Sequence, residues 1–182
     1  MAQNIISGCV FPGDVVVDAT AGNGYDTLFL AGLVGNQGKV YSFDIQDEAI
    51  ARTTDKLHKE GLLSRVRLIR SGHERVADYV KEKISAAMFN LGYLPGTDRQ
   101  VVTRPETTLP ALETCLERLK PGGIATVVLY SGHPGGMEEK ERILHYCSRL
   151  RRDTFDVLLY EMMNWPNHPP VLVAIEKRVH EE

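Results

Sequence analysis

Three cysteines, a single tryptophan and no stretch of eighteen consecutive apolar residues are what this chain has least of, and each scarcity removes a class of protein. Cys9, Cys115 and Cys147 are odd in number, widely separated and in no metal-ligating spacing. They read as reduced thiols that pack in a core, so neither a disulfide framework nor a metal site is implied. Without a long apolar run no membrane-spanning helix is expected. Residues 1–12 lack a basic start followed by an apolar segment, so no export signal is read there and a cytoplasmic setting is expected. A net charge of only −3 argues against binding nucleic acid through overall charge, because phosphate contacts need clustered Lys and Arg. Local clusters do occur, at Arg65, Arg67, Arg70 and Arg75, at Arg99 and Arg104, and at Arg149, Arg151 and Arg152. Each is either a basic face or solvated charge at the ends of helices and strands.

What is present is an ordinary globular composition, 43% apolar and 25% charged over 182 residues, which suits one folded domain over residues 1–182. After a short leader, Val15–Asp18 reads as a first strand, 25–33 as a helix and 35–38 as a glycine turn. Residues 40–43 form a second strand with Asp44 at its end, and 47–60 a helix closed by Gly61. A strand at 66–69, a helix or turn over 73–83 and a strand at 86–90 follow. The loop over 91–104, rich in Gly, Pro, Thr and Asp, is too long to be only a connector. Residues 107–119 carry leucines along one helical side, Lys120-Pro-Gly-Gly123 stops that helix, and 124–130 is an apolar fifth strand. A helix over 137–150 has Glu138 and Glu139 at its positive end. Strands at 155–162 and 171–176 have no helix between them, which predicts an antiparallel hairpin. The sum is an α/β fold: a Rossmann-like, seven-stranded, mostly parallel sheet with helices on both faces.

The chemistry is concentrated in Asp18-Ala-Thr-Ala-Gly-Asn-Gly-Tyr-Asp-Thr27, at the junction of first strand and first helix. Gly22 and Gly24 leave the backbone bare for a ligand, and the helix behind them directs unpaired N–H groups toward it. Asp44, twenty positions past Gly24, is placed for a ribose diol. A dinucleotide fold wants a third glycine where Thr27 stands. Asp18 at the strand end would repel a pyrophosphate, whereas a carboxylate attracts the sulfonium and ammonium of S-adenosylmethionine. That cofactor is therefore the expected one.

With the reversed final strand, the chain resembles class I S-adenosylmethionine-dependent methyltransferases. The turn just quoted, Phe89-Asn-Leu-Gly-Tyr-Leu-Pro-Gly-Thr-Asp98 and Asn164-Trp-Pro-Asn-His-Pro-Pro170 together resemble a narrower bacterial family. Its members, formerly labelled rRNA methylases, are the tRNA 5-aminomethyl-2-thiouridine methyltransferases. The resemblance implies methyl transfer to the aminomethyl nitrogen of the wobble uridine, with the tRNA anticodon region as partner. Action on rRNA or on a small-molecule amine stands as the alternative, and a homodimer is admissible.

The resemblance places Asp18, Gly22, Asn23, Gly24, Asp26 and Thr27 around the methionine part of the cofactor and Asp44 at its ribose. Gln46 would accompany ribose or adenine, and His73 would stand at the adenine rim. Asp26 and Thr27 could instead serve their own helix's N–H groups. Asn90 and Tyr93 lie at the end of the fourth strand, where ligands gather in such sheets. An amide carbonyl there can orient an attacking amine, and an aromatic face can stack on a base. Their plain alternative is a turn cap and a sheet cover. Asp98 is a candidate proton relay, and Thr97 and Thr103 candidate pocket residues, while Thr107 either joins them or caps the next helix. His133 follows the fifth strand, where it contacts substrate, relays a proton or belongs to a hinge. Asn164, Trp165 and His168 form the hairpin tip, where the indole either stacks on a base or packs on the sheet edge.

Overall fold

A computed structural model describes residues 1–94, 101–166 and 169–179. One sheet organises the chain, with strands β1 (Val15–Asp18), β2 (Lys39–Asp44), β3 (Val66–Arg70), β4 (Ile84–Asn90), β5 (Leu119–Leu129), β6 (Phe155–Tyr160) and β7 (Val171–Lys177). Their order is β3-β2-β1-β4-β5-β7-β6; β7 runs antiparallel to both of its neighbours and the other pairings are parallel. The helices are α1 (Ala2–Ile6), α2 (Tyr25–Val34), α3 (Asp47–Lys59), α4 (Val76–Tyr79), α5 (Pro105–Arg118) and α6 (Gly136–Ser148). None among the described residues is long and apolar enough to cross a membrane.

Strand alternation builds two cores. Val16, Val40, Ala86 and Met88 face one side with Ile6, Leu30, Val34 and Leu57 from α1, α2 and α3. Val17, Phe43, Ala87, Phe89 and Val127 face the other, against Val76, Leu112, Leu116 and Ile143 of α4, α5 and α6. β4 is buried on both faces from Ile84 to Phe89, as a central parallel strand should be. Cys115 and Cys147 are buried free thiols and Cys9 is half-buried, each held well above its ordinary pKa by burial.

Several boundaries depart from the sequence reading. α5 begins at Pro105, because proline's fixed φ and missing N–H suit a first helical position. Thr107 is therefore inside the helix and donates its hydroxyl to the Arg104 carbonyl at 3.0 Å instead of capping. Lys120-Pro-Gly-Gly123 lies within β5, where a register shift against Ile84 and Ala86 absorbs it as a bulge. The segment after β3 is a short 3-10 turn, His73–Arg75, leading into one turn of α4.

Gly24 caps α2 with φ +77° in the left-handed region, and a Cβ there would meet Thr53 Oγ1 of α3 at 2.8 Å. Conformation and space both require glycine. Gly24→Ala is expected to lower the unfolding free energy by about 2 kcal/mol, read from urea titrations; an unchanged midpoint would refute the packing constraint.

Candidate functional site

β1 sits where strand order reverses, so the loops after β1, β2 and β4 diverge and leave a crevice at their C-terminal ends. The turn after β1 is shared between two strands. The Ala19 N–H donates to the Met88 carbonyl of β4 and the Ala21 N–H to the Phe43 carbonyl of β2, both at 2.8 Å. The crevice has a volume of about 650 Å³. Its walls come from the 19–23 turn, 43–46 after β2, 71–74 after β3, 90–94 after β4, the 101–104 segment, and Tyr130, Gly132 and His133 after β5.

Gly22, with φ +52°, donates its N–H to Asp44 Oδ2 at 2.9 Å, and the Gln46 N–H reaches Asp44 Oδ1 at 3.0 Å. Asp44 thus lines the crevice while tying the glycine turn to β2, and each oxygen keeps a second acceptor direction. Asn23 also lines it, its carbonyl accepting from Arg52 Nη1 at 2.9 Å. Asp26 faces the cavity and is steadied by α1, whose Gln3 amide donates to it at 2.8 Å. Gln46 joins the wall.

Asp18 is placed differently from the expectation. Alternation puts it on the face of Val16, beneath α2, fully buried and outside the cavity lining. It accepts from the Thr27 hydroxyl and, at 3.1 Å, from the Thr20 N–H. Thr27's proton being given to Asp18, Ser42 Oγ donates to Thr27 Oγ1 across 2.9 Å. Burial, aided by the nearby Asp26 charge, pushes the Asp18 carboxyl up to about 7. Among the described residues the carboxylates that do face the crevice are Asp26, Asp44 and Glu74. Thr27 and Gly24 likewise support the turn from behind and do not line it.

His73 is a wall, 7% exposed: its Nδ1 donates to the Ala19 carbonyl at 3.0 Å, its ring stands edge-on to Phe89, and burial lowers its pKa. Asn90 is exposed at the end of β4, its N–H donated to Thr20 Oγ1 at 2.8 Å, and its carboxamide makes no hydrogen bond among the described residues. Thr20 thereby joins the turn after β1 to the end of β4. Tyr93 meets His133 edge to face, with ring centroids 6.1 Å apart. His133 is 9% exposed; its Nδ1 donates to the Pro134 carbonyl at 3.1 Å, and Nε2 is buried with no partner among the described residues. Thr103 lines the crevice, yet its hydroxyl is committed to the Gly92 N–H and to Glu139. Thr97, Asp98 and His168 lie outside the described residues. Asn164 and Trp165 are exposed on the hairpin tip, away from the cavity wall; with Trp165 61% exposed, the indole is not packed on the sheet edge. Among the described residues no group of three or more His, Cys, Asp or Glu could hold a metal.

The family model described as "Putative rRNA methylase" matches residues 40–176. The chain belongs to that family. It is 49% identical to a "putative rRNA-methylase" from Clostridium thermocellum of known structure, with TM-score 0.95, covering 97% of this chain and 95% of the other. A "putative methyltransferase" from Streptococcus mutans, solved in complex with SAH, is 41% identical with TM-score 0.90 over 97% and 95% of the two chains. The chloroplastic tRNA (mnm(5)s(2)U34)-methyltransferase of Arabidopsis thaliana is 40% identical over 176 residues, 91% of this chain and 64% of its own length. This chain therefore spans less than two thirds of that relative. The methyltransferase resemblance and the seven-stranded, Rossmann-like class are borne out.

The folded protein holds the Asp18 proton more tightly than the unfolded chain, whose ordinary value is 3.8. The stability Asp18 contributes is thus complete below about pH 4 and is lost as pH rises through about 7. Asp18→Asn is expected to flatten the decline in urea midpoint across that window; an unaltered slope would remove Asp18 as its source.

Proposed function

We propose that the protein transfers a methyl group from S-adenosylmethionine to the aminomethyl nitrogen of 5-aminomethyl-2-thiouridine at the tRNA wobble position. The observation that carries this reading is the juxtaposition of the bare Gly22 turn with the free Asn90 carboxamide, bridged by Thr20. The crevice suits the cofactor: among the described residues three carboxylates face it to attract a cationic ligand, Gly22 has no side chain to obstruct close approach, and about 650 Å³ leaves room for a nucleobase beside a nucleoside. When bound, S-adenosylmethionine supplies an electrophilic methyl group, so the chain need only position an amine that has already lost its proton. Asp44 holds the ribose while Asp26 faces the methionine end. The Asn90 carbonyl accepts an N–H of the acceptor amine and turns its lone pair toward the crevice. Tyr93, 37% exposed, offers an aromatic surface to the base. No strong general base is required. The choice of wobble uridine is supported by the name of the Arabidopsis relative.

Trp165 and Met163, 61% and 99% exposed, occupy the hairpin tip. That tip lies at the crevice edge of the sheet, because β7 begins with Val171 beside Leu129 at the end of β5. There the indole is available to stack on an anticodon base. The reading also carries a homodimer through β6. Leu158 and Leu159 point to opposite faces of this edge strand and are 59% and 52% exposed. Antiparallel pairing with a second copy's β6 closes under a two-fold axis, satisfies the open backbone groups of this edge and sets the leucines of the two copies side by side. Sedimentation velocity is expected to show a dimer that Leu158→Lys converts to monomer; a monomeric parent protein would sink this pairing.

Methyl-labelled S-adenosylmethionine incubated with tRNA lacking the final wobble methyl is expected to place label in 5-methylaminomethyl-2-thiouridine on nucleoside analysis. Label only in rRNA or in a small amine would redirect the acceptor assignment, and cofactor binding without transfer would defeat the enzyme reading. Asn90→Ala is expected to lower turnover about a hundredfold with cofactor affinity retained.

A further inference from the structure

Glu139 is a carboxylate in the first turn of α6, 1% exposed and outside the crevice wall. It shares a buried stripe with Ile143 and Cys147, where an apolar residue would be the usual occupant. Each of its oxygens receives a hydroxyl at 2.7 Å: Thr103 Oγ1 donates to Oε2 and Thr108 Oγ1 to Oε1. The two threonines lead in opposite directions. Thr103 Oγ1 accepts the Gly92 N–H at 2.9 Å, and the Thr103 N–H donates to the Gly92 carbonyl at 2.9 Å, next to the Tyr93 and Val102 bridge. Thr108, in α5, has given its proton to Glu139, so its hydroxyl oxygen only packs, at 3.4 Å, against Nε2 of His73, whose other nitrogen donates to the Ala19 carbonyl of the turn after β1.

We infer that Glu139 is a positioning residue, the brace that holds the acceptor side of the crevice, through Thr103, against α5 and α6. Resting on the methyltransferase reading of the site, the inference follows from what a buried charge demands. A carboxylate accepts only, so both hydroxyl protons must point at it. With its proton committed, Thr103 can meet Gly92 only as an acceptor, which fixes the backbone carrying Asn90 and Tyr93. An apolar residue at 139 would leave both hydroxyls to rotate and the 101–103 segment without its anchor in α6. Charge-assisted hydrogen bonds are the stronger ones, and here both hold the stretch that runs from the crevice wall at Thr103 into α5.

The test compares the parent protein with Glu139→Gln, which keeps the shape and loses the charge, with Glu139→Ala, and with Thr103→Val, which removes the hydroxyl that joins Glu139 to the Gly92 N–H and leaves the Thr108 bond in place. NMR-detected hydrogen exchange at the Gly92 and Thr103 amides is expected to quicken about tenfold in each variant, with exchange in β1 and β2 unaltered. Calorimetry is expected to find the dissociation constant for S-adenosylhomocysteine within about threefold of the parent value, while kcat with tRNA falls about tenfold in Glu139→Gln and further in Glu139→Ala. Unaltered exchange at Gly92 in Glu139→Gln and Thr103→Val overturns the inference, as does a uniform rise in exchange over the whole chain. Equal losses of cofactor affinity and turnover also overturn it. If the parent protein transfers no label to tRNA, the proposed acceptor fails, whereas the exchange and binding comparison still decides the role of Glu139.

Discussion

The site depends on the turn after β1 being hydrogen-bonded alternately to two strands that then part. Ala19 gives its N–H to β4 and Ala21 gives its N–H to β2. Two residues later neither strand continues beside it, and the chain must bridge the gap with side chains. Thr20 does so toward Asn90, and Asp44 does so toward Gly22. The crevice is the volume that cannot be closed once neighbouring strands send their connections to opposite faces of a twisted sheet.

Acids near this crevice fall into two groups with opposite physics. Asp26, Asp44 and Glu74 face the opening and can meet a cationic ligand. Asp18 and Glu139 are buried behind the walls, each answering threonine hydroxyls. A carboxylate out of water must be satisfied or neutralised, so these two organise the groups around them more strictly than an apolar side chain could. Asp18 holds the start of α2 against β1 and β2, and Glu139 ties α6 to α5 and to the segment that returns toward β4. Both reach the crevice wall through the backbone, Asp18 at the Thr20 N–H and Glu139, by way of Thr103, at the Gly92 N–H.

Much of the scaffold was legible because period carries it. The Val15–Asp18 run, the helix ending at Gly61, and two strands at the end with no helix between them were sufficient to predict the sheet and its reversed strand. The misread boundaries share a cause. Pro121 was weighed as an interruption and Pro105 was left outside the helix read from 107, yet Pro105 suits a helix start and Pro121 sits in a bulge of β5 that keeps its pairing on either side. Asp18 was read by type, as an acid near a cation, although its even register with Val16 already placed it under α2. Glu139 was seen only as a charge at a helix N-terminus; its spacing of four and eight from Ile143 and Cys147 was the signal that it belonged to the buried stripe.

The sequence by itself determined the kind of site: glycines in a strand-to-helix turn, an acid one strand later and an Asn at the fourth strand's end are local patterns, readable because local backbone geometry demands them. Only the tertiary structure decided which side chains face the ligand and which stand behind it. Asp18 and Asp44 are both strand-terminal acids, and only the packing of α2 over one and the open edge beside the other separates them. Thr103 and Glu139 are thirty-six residues apart, and their link exists because α6 crosses the sheet beside α5. Hydrogen bonds between distant segments are set by how elements pack, and no local periodicity encodes them.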